Sequence, residues 1–581
     1  MKLSDYIGQM NKKYDWNKWF AFAFLILAIL GILDRIWVAE DAYITFRHID
    51  NFFAGNGLTF NNGERVEGFT HPLWTFLLIA LRFVGIPNHQ GAIFLGLCFS
   101  IGGLILAYRF FQSRFDKILF LFAFLLISNS GFRDFSTSGL EFSLTFFLLT
   151  MLFIFILGRE IQNHIVVFSI LSLLYLTRPE MGLLLFYYGS LGIFIYLKEK
   201  DFKHIFQIVL PIILIAGSYH AFRFFYYHDI FPNTYYAKSG GESNYFQGIK
   251  YLSHTLRYSP FLIPSILIFL FSIPAFIRLG KSNHQVKFLL RDFSGLLLLM
   301  FYIVRVGGDF MAFRFFLPSI VIFTYLFQFY QNTLWASKDL SLKSTYLVNS
   351  ILLVFCIYFV FFNQKIPLVK GFIVDERQVY TRGLNQDIFS RFQEIRYPWY
   401  IEGLKMKELV TCLQYKNFII TNSVTNAKCA PGLGLGYYSV AAGTNVFIID
   451  EQGLTDKFIA KQKRPGSFRP GHERSVGLDY LIDKGVFFCS LNNSEYDENM
   501  KTRFGVIINL SPEFLFRLGQ TEYTKRISKL KEIFLKTRFP TTENEKQIHS
   551  LLLKLESKYK MKILELPDLV PKEYEAYSKC W

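Results

Sequence analysis

Trp19-Phe-Ala-Phe-Ala-Phe-Leu-Ile-Leu-Ala-Ile-Leu-Gly-Ile-Leu33, followed shortly by Glu40-Asp41-Ala-Tyr-Ile-Thr-Phe-Arg47-His48, sets the fold class of this chain. The first stretch approaches the ~20 apolar residues that cross a bilayer. It is too apolar all round for a surface helix of a soluble protein. It follows Lys12, Lys13 and Lys18 and lacks a small-residue cleavage site, so it reads as an uncleaved span. Two carboxylates at the edge of hydrocarbon are costly, and such acids are by default functional, usually with a cation nearby. Arg47 and His48 follow at once.

The rest of the chain repeats the pattern. Of 581 residues, 52% are hydrophobic and 67 are Phe, a membrane composition. Apolar candidates lie near 19–37, 72–86, 90–107, 117–130, 140–157, 163–177, 181–197, 205–226, 259–278, 288–304, 313–331 and 345–362. If all of them crossed from an inside N-terminus, Lys198, Lys200 and Lys203, and likewise Arg278, Lys281, Lys287 and Arg291, would fall outside, against the positive-inside bias. Treating 72–86 as an interfacial or re-entrant piece restores the rule, because it is short, starts at Pro72 and contains Arg82. About eleven spans are then expected. The resulting parity puts the first loop (38–71), 137–141, 177–180, 228–258 and 306–309 on one face, outside, together with the C-terminal domain.

That domain is expected from 363 to 581, after a transmembrane domain of 1–362. Charged residues become frequent there and apolar runs shorten to strand length. Phe418 to Thr421, Val446 to Asp450, Val486 to Cys489 and Val506 to Leu510 read as buried strands, and Arg526 to Lys536 and Ile548 to Tyr559 as helices, an α/β pattern. The net charge of +17 is shared between the two parts without a concentrated patch, which argues against nucleic acid as a partner. Cys98 and Cys356 fall in apolar spans, whereas Cys412, Cys429, Cys489 and Cys580 fall in the outside domain, enough for two disulfides. Gly432-Leu-Gly-Leu-Gly436 fits a nucleotide loop poorly. Arg469-Pro-Gly-His472-Glu473 lacks further zinc ligands at the required spacing.

Each polar motif has a bland reading beside a functional one. Glu40 and Asp41 could only mark a helix end. The long loop from Asn51 to Trp74, with its glycines, Glu67 and aromatic residues, favours function instead. Arg178 in Thr-Arg-Pro-Glu180 could snorkel, but Pro179 stops the helix and fixes both charges at the surface. Gly307-Gly308 explains a tight turn; it does not explain Arg305, Asp309 and Arg314 around it. Phe231-Pro-Asn-Thr-Tyr235-Tyr-Ala-Lys238 could be an interfacial aromatic belt, or a face suited to a sugar.

Taken in order, Glu-Asp-Ala-Tyr-Ile-Thr-Phe-Arg (40–47), Gly-Leu-Thr-Phe-Asn-Asn-Gly-Glu-Arg-Val-Glu-Gly-Phe-Thr (57–70), Ser-Gly-Leu-Glu (138–141), Thr-Arg-Pro-Glu (177–180), Pro-Asn-Thr-Tyr-Tyr-Ala-Lys (232–238), Val-Gly-Gly-Asp-Phe-Met (306–311), Gly-Leu-Thr-Asp (453–456) and Arg-Pro-Gly-His-Glu (469–473) resemble one family. It is that of the bacterial GT-C integral membrane glycosyltransferases, near the terminal β-(1→2)-arabinofuranosyltransferases of mycobacteria. The resemblance implies an inverting transferase of the inner membrane. It would take a sugar, arabinofuranose or another, from a polyprenyl phosphate on the periplasmic side and pass it to a cell-envelope glycan, lipid or protein. The family's first-loop pair is usually Asp-Asp. Here Glu40 stands at the first position, which leaves Asp41 as the expected base.

In this reading Asp41, with Glu40 beside it, does the proton chemistry, and Arg178, Arg305, Arg314, Lys238 and His48 meet the donor phosphate. Arg47, Glu67, Glu141, Glu180, Tyr235, Asp309, Asp456 and His472 would line the substrates. A divalent cation (Mg, Mn or Ca) held by Glu40 and Asp41 is left open by the residues. A polytopic transporter, or a lipid-linked glycan handling protein without transferase activity, would also show many spans with outward acids. It would show acids within several spans and repeated helix halves as well, and the sequence has neither pattern.

Overall fold

The computed structural model describes residues 16–115, 118–158, 163–238, 243–279, 283–337, 342–362, 369–370, 373–381, 397–401, 418–421, 435–450 and 452–462, with short pieces at 403–407 and from 480 to 565. Its contacts divide into two compact units. The first comprises Met1–Ala42, Phe69–Phe231 and Ser239–Glu394, and the second Tyr43–Gly68, Pro232–Lys238 and Ile395–Trp581. Most of the first loop therefore groups with the C-terminal residues, and the boundary expected at 363 falls within the first unit.

The first unit is helical. Asn88–Arg114, Pro179–Glu199, Phe202–Tyr227 and Leu342–Phe361 are long and apolar enough to cross a membrane. Tyr245–Arg257 with Leu262–Arg278, bent by 93°, adds a fifth if it counts as one span. Asn17–Leu33, Phe142–Leu157 and His164–Thr177 are shorter apolar helices. Phe202–Tyr227 carries a π-turn at Ile212–Gly217, immediately after Pro211. A proline has no N–H for the ladder, and the wider turn absorbs the break. Pro72–Phe83 has 12 residues. At 1.5 Å per residue that is roughly 18 Å, short of the ~30 Å hydrocarbon core.

Among its described residues, the stretch 117–130, expected as a span, holds the eight-residue helix Leu121–Ser128 and the start of a second short helix, Ser130–Phe135, capped by Asn129. Non-helical backbone at membrane depth has to be satisfied by protein. Three buried amides do this. Asn332 Oδ1 accepts from Leu119 N at 2.8 Å, Asn349 Oδ1 from Phe120 N at 3.1 Å and Gln328 Oε1 from Phe122 N at 2.8 Å. Asn349 Nδ2 in turn donates to Ile118 O at 2.8 Å.

In the second unit, Phe418–Thr421 pairs in parallel with Val446–Ile449, in the register Phe418↔Val446, and the helix Leu435–Ala442 lies between them in sequence. The first-loop residues are tied to this layer by side-chain-to-backbone bonds. Arg47 is fully buried and donates to the carbonyls of Phe60, Ser439, Gly443 and Val446. Asn61 exchanges two bonds with Ile448, accepting from its N–H at 3.0 Å and donating to its carbonyl at 2.8 Å. Asn233 Nδ2 donates to the carbonyls of Gly453 and Leu454. The strands expected at Val486 to Cys489 and Val506 to Leu510, and the four cysteines from Cys412 to Cys580, lie outside the described residues. Cys98 and Cys356 are free thiols.

The amide ties give a first test. Asn349→Leu leaves two buried backbone groups unpaired and should cost about 1–3 kcal/mol. Thermal unfolding in detergent should drop accordingly, while Ser350→Ala, at an exposed neighbour, should leave it unchanged.

Candidate active site

The first unit gathers six of the charged residues singled out in the sequence. Asp41 lies in the first turn of the helix Glu40–Phe53, where the N-terminal end of the helix dipole favours a carboxylate. Its Oδ2 is 3.3 Å from Arg314 Nη1. Asp309 Oδ2 approaches the same nitrogen at 3.6 Å, and Glu141 Oε2 lies 3.9 Å from Arg314 Nη2. Glu141 Oε1 is 3.0 Å from Arg178 Nη1. Arg178 Nε donates to Glu180 Oε1 at 2.6 Å, and its guanidinium lies 5.2 Å from the centre of the Phe315 ring. Every member except Asp41 is buried.

Local backbone geometry holds these groups in place. Gly139 has φ +76°, and a Cβ there would lie 2.6 Å from Val38 Cγ1, so the Ser138–Glu141 turn can sit against the segment leading into Asp41 only as glycine. Ala39 N donates to Ser138 O at 2.7 Å, and Trp74 Nε1 donates to Gly139 O at 2.9 Å. On the other side, Gly308 (φ +71°) packs against the Tyr251 ring, and the Tyr251 hydroxyl donates to Met311 O and accepts from Phe315 N. Phe313, next to Arg314, holds φ 67°. That left-handed conformation costs a non-glycine residue about 1–3 kcal/mol and is found where the surroundings impose it.

The electrostatics follow from this packing. Burial disfavours charge on Glu141, but Arg314, His71 and Arg178 more than reverse that and hold its carboxyl well below the usual carboxylate range. Burial likewise opposes charge on Arg314, and Glu141, Asp309 and Asp41 raise it above its ordinary value. Both stay ionised at working pH. Glu141 Oε2, Asp309 Oδ2 and Arg314 Nε are buried atoms without a hydrogen bond among the described residues.

The remaining candidates have other surroundings. Glu40 is buried beside Asp41. Arg305 is exposed at the end of the helix Asn283–Val306, and its carbonyl accepts from Asn244 N. Arg47, His48, Glu67, Tyr235, Lys238 and Asp456 belong to the second unit. Burial lowers the Arg47 guanidinium to about 10. His48 ties Ile44 O to the 66–68 backbone. The carbonyl of Glu67 accepts from Asn233 N. Tyr235 and Lys238 are half-buried on the short helix Asn233–Lys238. Asp456 caps the helix Lys457–Ala460 and accepts from the Tyr480 hydroxyl. His472 lies outside the described residues.

The structure adds His71, whose Nδ1 is 3.2 Å from Glu141 Oε2. Its sequence signal was the His-Pro step that opens the helix Pro72–Phe83. Among the described residues no group of three or more His, Cys, Asp or Glu side chains is arranged to hold a metal ion. Of the pair Glu40–Asp41, Asp41 is matched to Arg314.

A terminal β-(1→2)-arabinofuranosyltransferase of Corynebacterium glutamicum is 25% identical over 77% of this chain and 74% of its own length. One of Mycobacterium tuberculosis is 25% identical over 78% of this chain and 83% of its own. The chain is similar to terminal β-(1→2)-arabinofuranosyltransferases. This bears out the resemblance read from the ordered motifs. The crystal structure of ArnT from Cupriavidus metallidurans bound to undecaprenyl phosphate aligns over 79% of this chain and 77% of that one, at TM-score 0.39 and 12% identity. No family model matches.

Removing the central carboxylate tests the cluster. Glu141→Gln leaves Arg178 and Arg314 short of countercharge and should cost about 3–5 kcal/mol at pH 7. Because the folded-state carboxyl is depressed, this contribution is fully present above its ordinary value of 4.5 and is lost as pH falls below it. Wild type and variant should therefore converge in thermal unfolding only under acidic conditions. Equal stability at pH 7 would contradict the assignment.

Proposed function

We propose that this protein is an inverting membrane glycosyltransferase that moves a sugar, arabinofuranose or another, from a polyprenyl-phosphate donor to a cell-envelope acceptor. The observation that carries the reading is the contact of Asp41, the most accessible acid of the cluster, with the buried Arg314, in a chain similar to known arabinofuranosyltransferases. An acceptor hydroxyl is a poor nucleophile until a positioned base takes its proton, and Asp41 is placed to do so. The acceptor oxygen bonds to the anomeric carbon, the bond from that carbon to the phosphate oxygen breaks, and polyprenyl phosphate departs with the electron pair. A single displacement of this kind inverts the centre.

Charge grows on the leaving phosphate as that bond breaks, and a preorganised cation there supplies much of the stabilisation. Arg314 is that cation in this reading. Arg178, bonded to Glu141 and Glu180, lies on the far side of Glu141 from Arg314 in this chain of ion pairs and supports Glu141. The loop charges favour a periplasmic site: about eleven spans, with 72–86 not crossing, put every polar motif and the C-terminal residues outside. An activated donor reaching that side arrives on a membrane lipid.

Asp41→Asn, at the partly accessible member of the cluster, should remain folded with a lowered unfolding temperature and should lower transfer from a polyprenyl-phosphate sugar by ~10²–10⁴-fold. Wild-type transfer by the variant would remove Asp41 as base. Transfer from a soluble nucleotide sugar, with no lipid fraction added, would overturn the donor class. A reporter fused after Trp581 should be active in the periplasm.

A further inference from the structure

A second charged junction is built from the segments that carry Asp41 and Glu141, together with one that pairs with the loop of Arg314. Arg35 and Asp134 are both buried and form a two-pronged ion pair, with Arg35 Nη2 at 2.8 Å from Asp134 Oδ2 and Nε bonded to Oδ1. Trp37 Nε1 donates to the backbone carbonyl of Asp134 at 2.7 Å. Six residues after Arg35, the buried segment Ile36–Ala39 delivers Asp41. Seven residues after Asp134, the Ser138–Glu141 turn delivers Glu141.

The third segment follows the last apolar helix. Ile373–Val374 pairs with Val369–Lys370, and Val374 also brackets the loop that carries Arg314. Val374 N donates to Phe310 O at 2.7 Å, and Ala312 N donates to Val374 O at 3.0 Å. Three residues on, Arg377 Nε lies 3.3 Å from Arg35 O and 3.7 Å from Asp134 Oδ1, and Nη2 lies 3.4 Å from Asp34 O. The segments bearing Asp41 and Glu141 thus meet twice, once at the site and once at this junction, and the loop bearing Arg314 is joined to the junction through Val374.

We propose that Arg377, acting with Asp134 and Arg35, is a positioning residue of the active site that sets Asp41 and Arg314 in register through the strand at Val374. The inference rests on the transferase reading for its kinetic consequence, and on geometry alone for its structural one. A misplacement of about 1 Å in a reacting group can cost on the order of 10²-fold in rate. Arg377 is the peripheral member, so its truncation leaves the buried Arg35–Asp134 pair intact.

The test uses the full-length protein in nanodiscs. Arg377→Ala should lower kcat for transfer from a polyprenyl-phosphate sugar by roughly 10–100-fold while changing the donor KM by less than about twofold. Arg377→Lys, which restores a donor to the carbonyls, should recover most of the loss. Hydrogen exchange at the amides of 310–314 and 36–41 should speed up in Arg377→Ala, with the helix Asn88–Arg114 unaffected. Unchanged kcat, or a loss confined to KM, overturns the positioning role. A wild-type protein without transferase activity overturns the transferase reading instead, and the exchange measurement then decides the coupling by itself: unchanged exchange at both segments overturns it.

Discussion

The structure turns on one buried cation. A guanidinium taken out of water has to be matched or it is prohibitively costly, and breaking one partner of such a set is far more harmful than never having built it. Arg314 meets that demand with Asp41, Glu141 and Asp309, carried by a helix start, a turn before a second helix, and a glycine-rich loop. The three carboxylates cannot satisfy Arg314 unless those segments converge. The left-handed Phe313 and the Tyr251 clamp are then consequences: they hold the backbone where the side chain has to point.

The same cost made the site visible in the sequence. Asp41, Glu141, Arg178, Glu180, Asp309 and Arg314 stand out as short polar interruptions between apolar runs, and the structure brings all six together. Arg47, His48 and Asp456 carried the same chemistry in the sequence, yet they satisfy backbone groups of the second unit. Bonds from a side chain to distant carbonyls have no period and no spacing by which to recognise them. Asp134 does not stand out in the sequence for a different reason, since Arg133-Asp134 lies inside an apolar stretch and its partner Arg35 is 99 residues away. The helix Leu121–Ser128 shows the limit of hydropathy, which registers apolarity and not where a regular helix starts. The amides of Gln328, Asn332 and Asn349 were legible as polar residues in apolar helices, but what they hold was not.

The charge balance of the cluster bears on what it recognises. Four carboxylates, Asp41, Glu141, Glu180 and Asp309, face two arginines. A ligand offering only negative charge is therefore poorly matched, whereas one that also donates hydrogen bonds is well matched. Asp309 Oδ2 is an acceptor without a hydrogen bond among the described residues, and Arg314 Nε is a donor in the same position, whereas Glu141 Oε2 faces His71 Nδ1 at 3.2 Å. In the transferase reading proposed above, a phosphate next to several hydroxyls, as in a glycosyl phosphate, would present both complements at once. A bare lipid phosphate presents one.

The adjacent acids at 40 and 41 divide along the same line. Successive residues on a helix point about 100° apart, so a single basic centre in front of the helix is reached by only one of them. Asp41 is that residue, and its short side chain suits a contact made from the first turn. The longer side chain of Glu40 is buried beside it and takes no part in that contact.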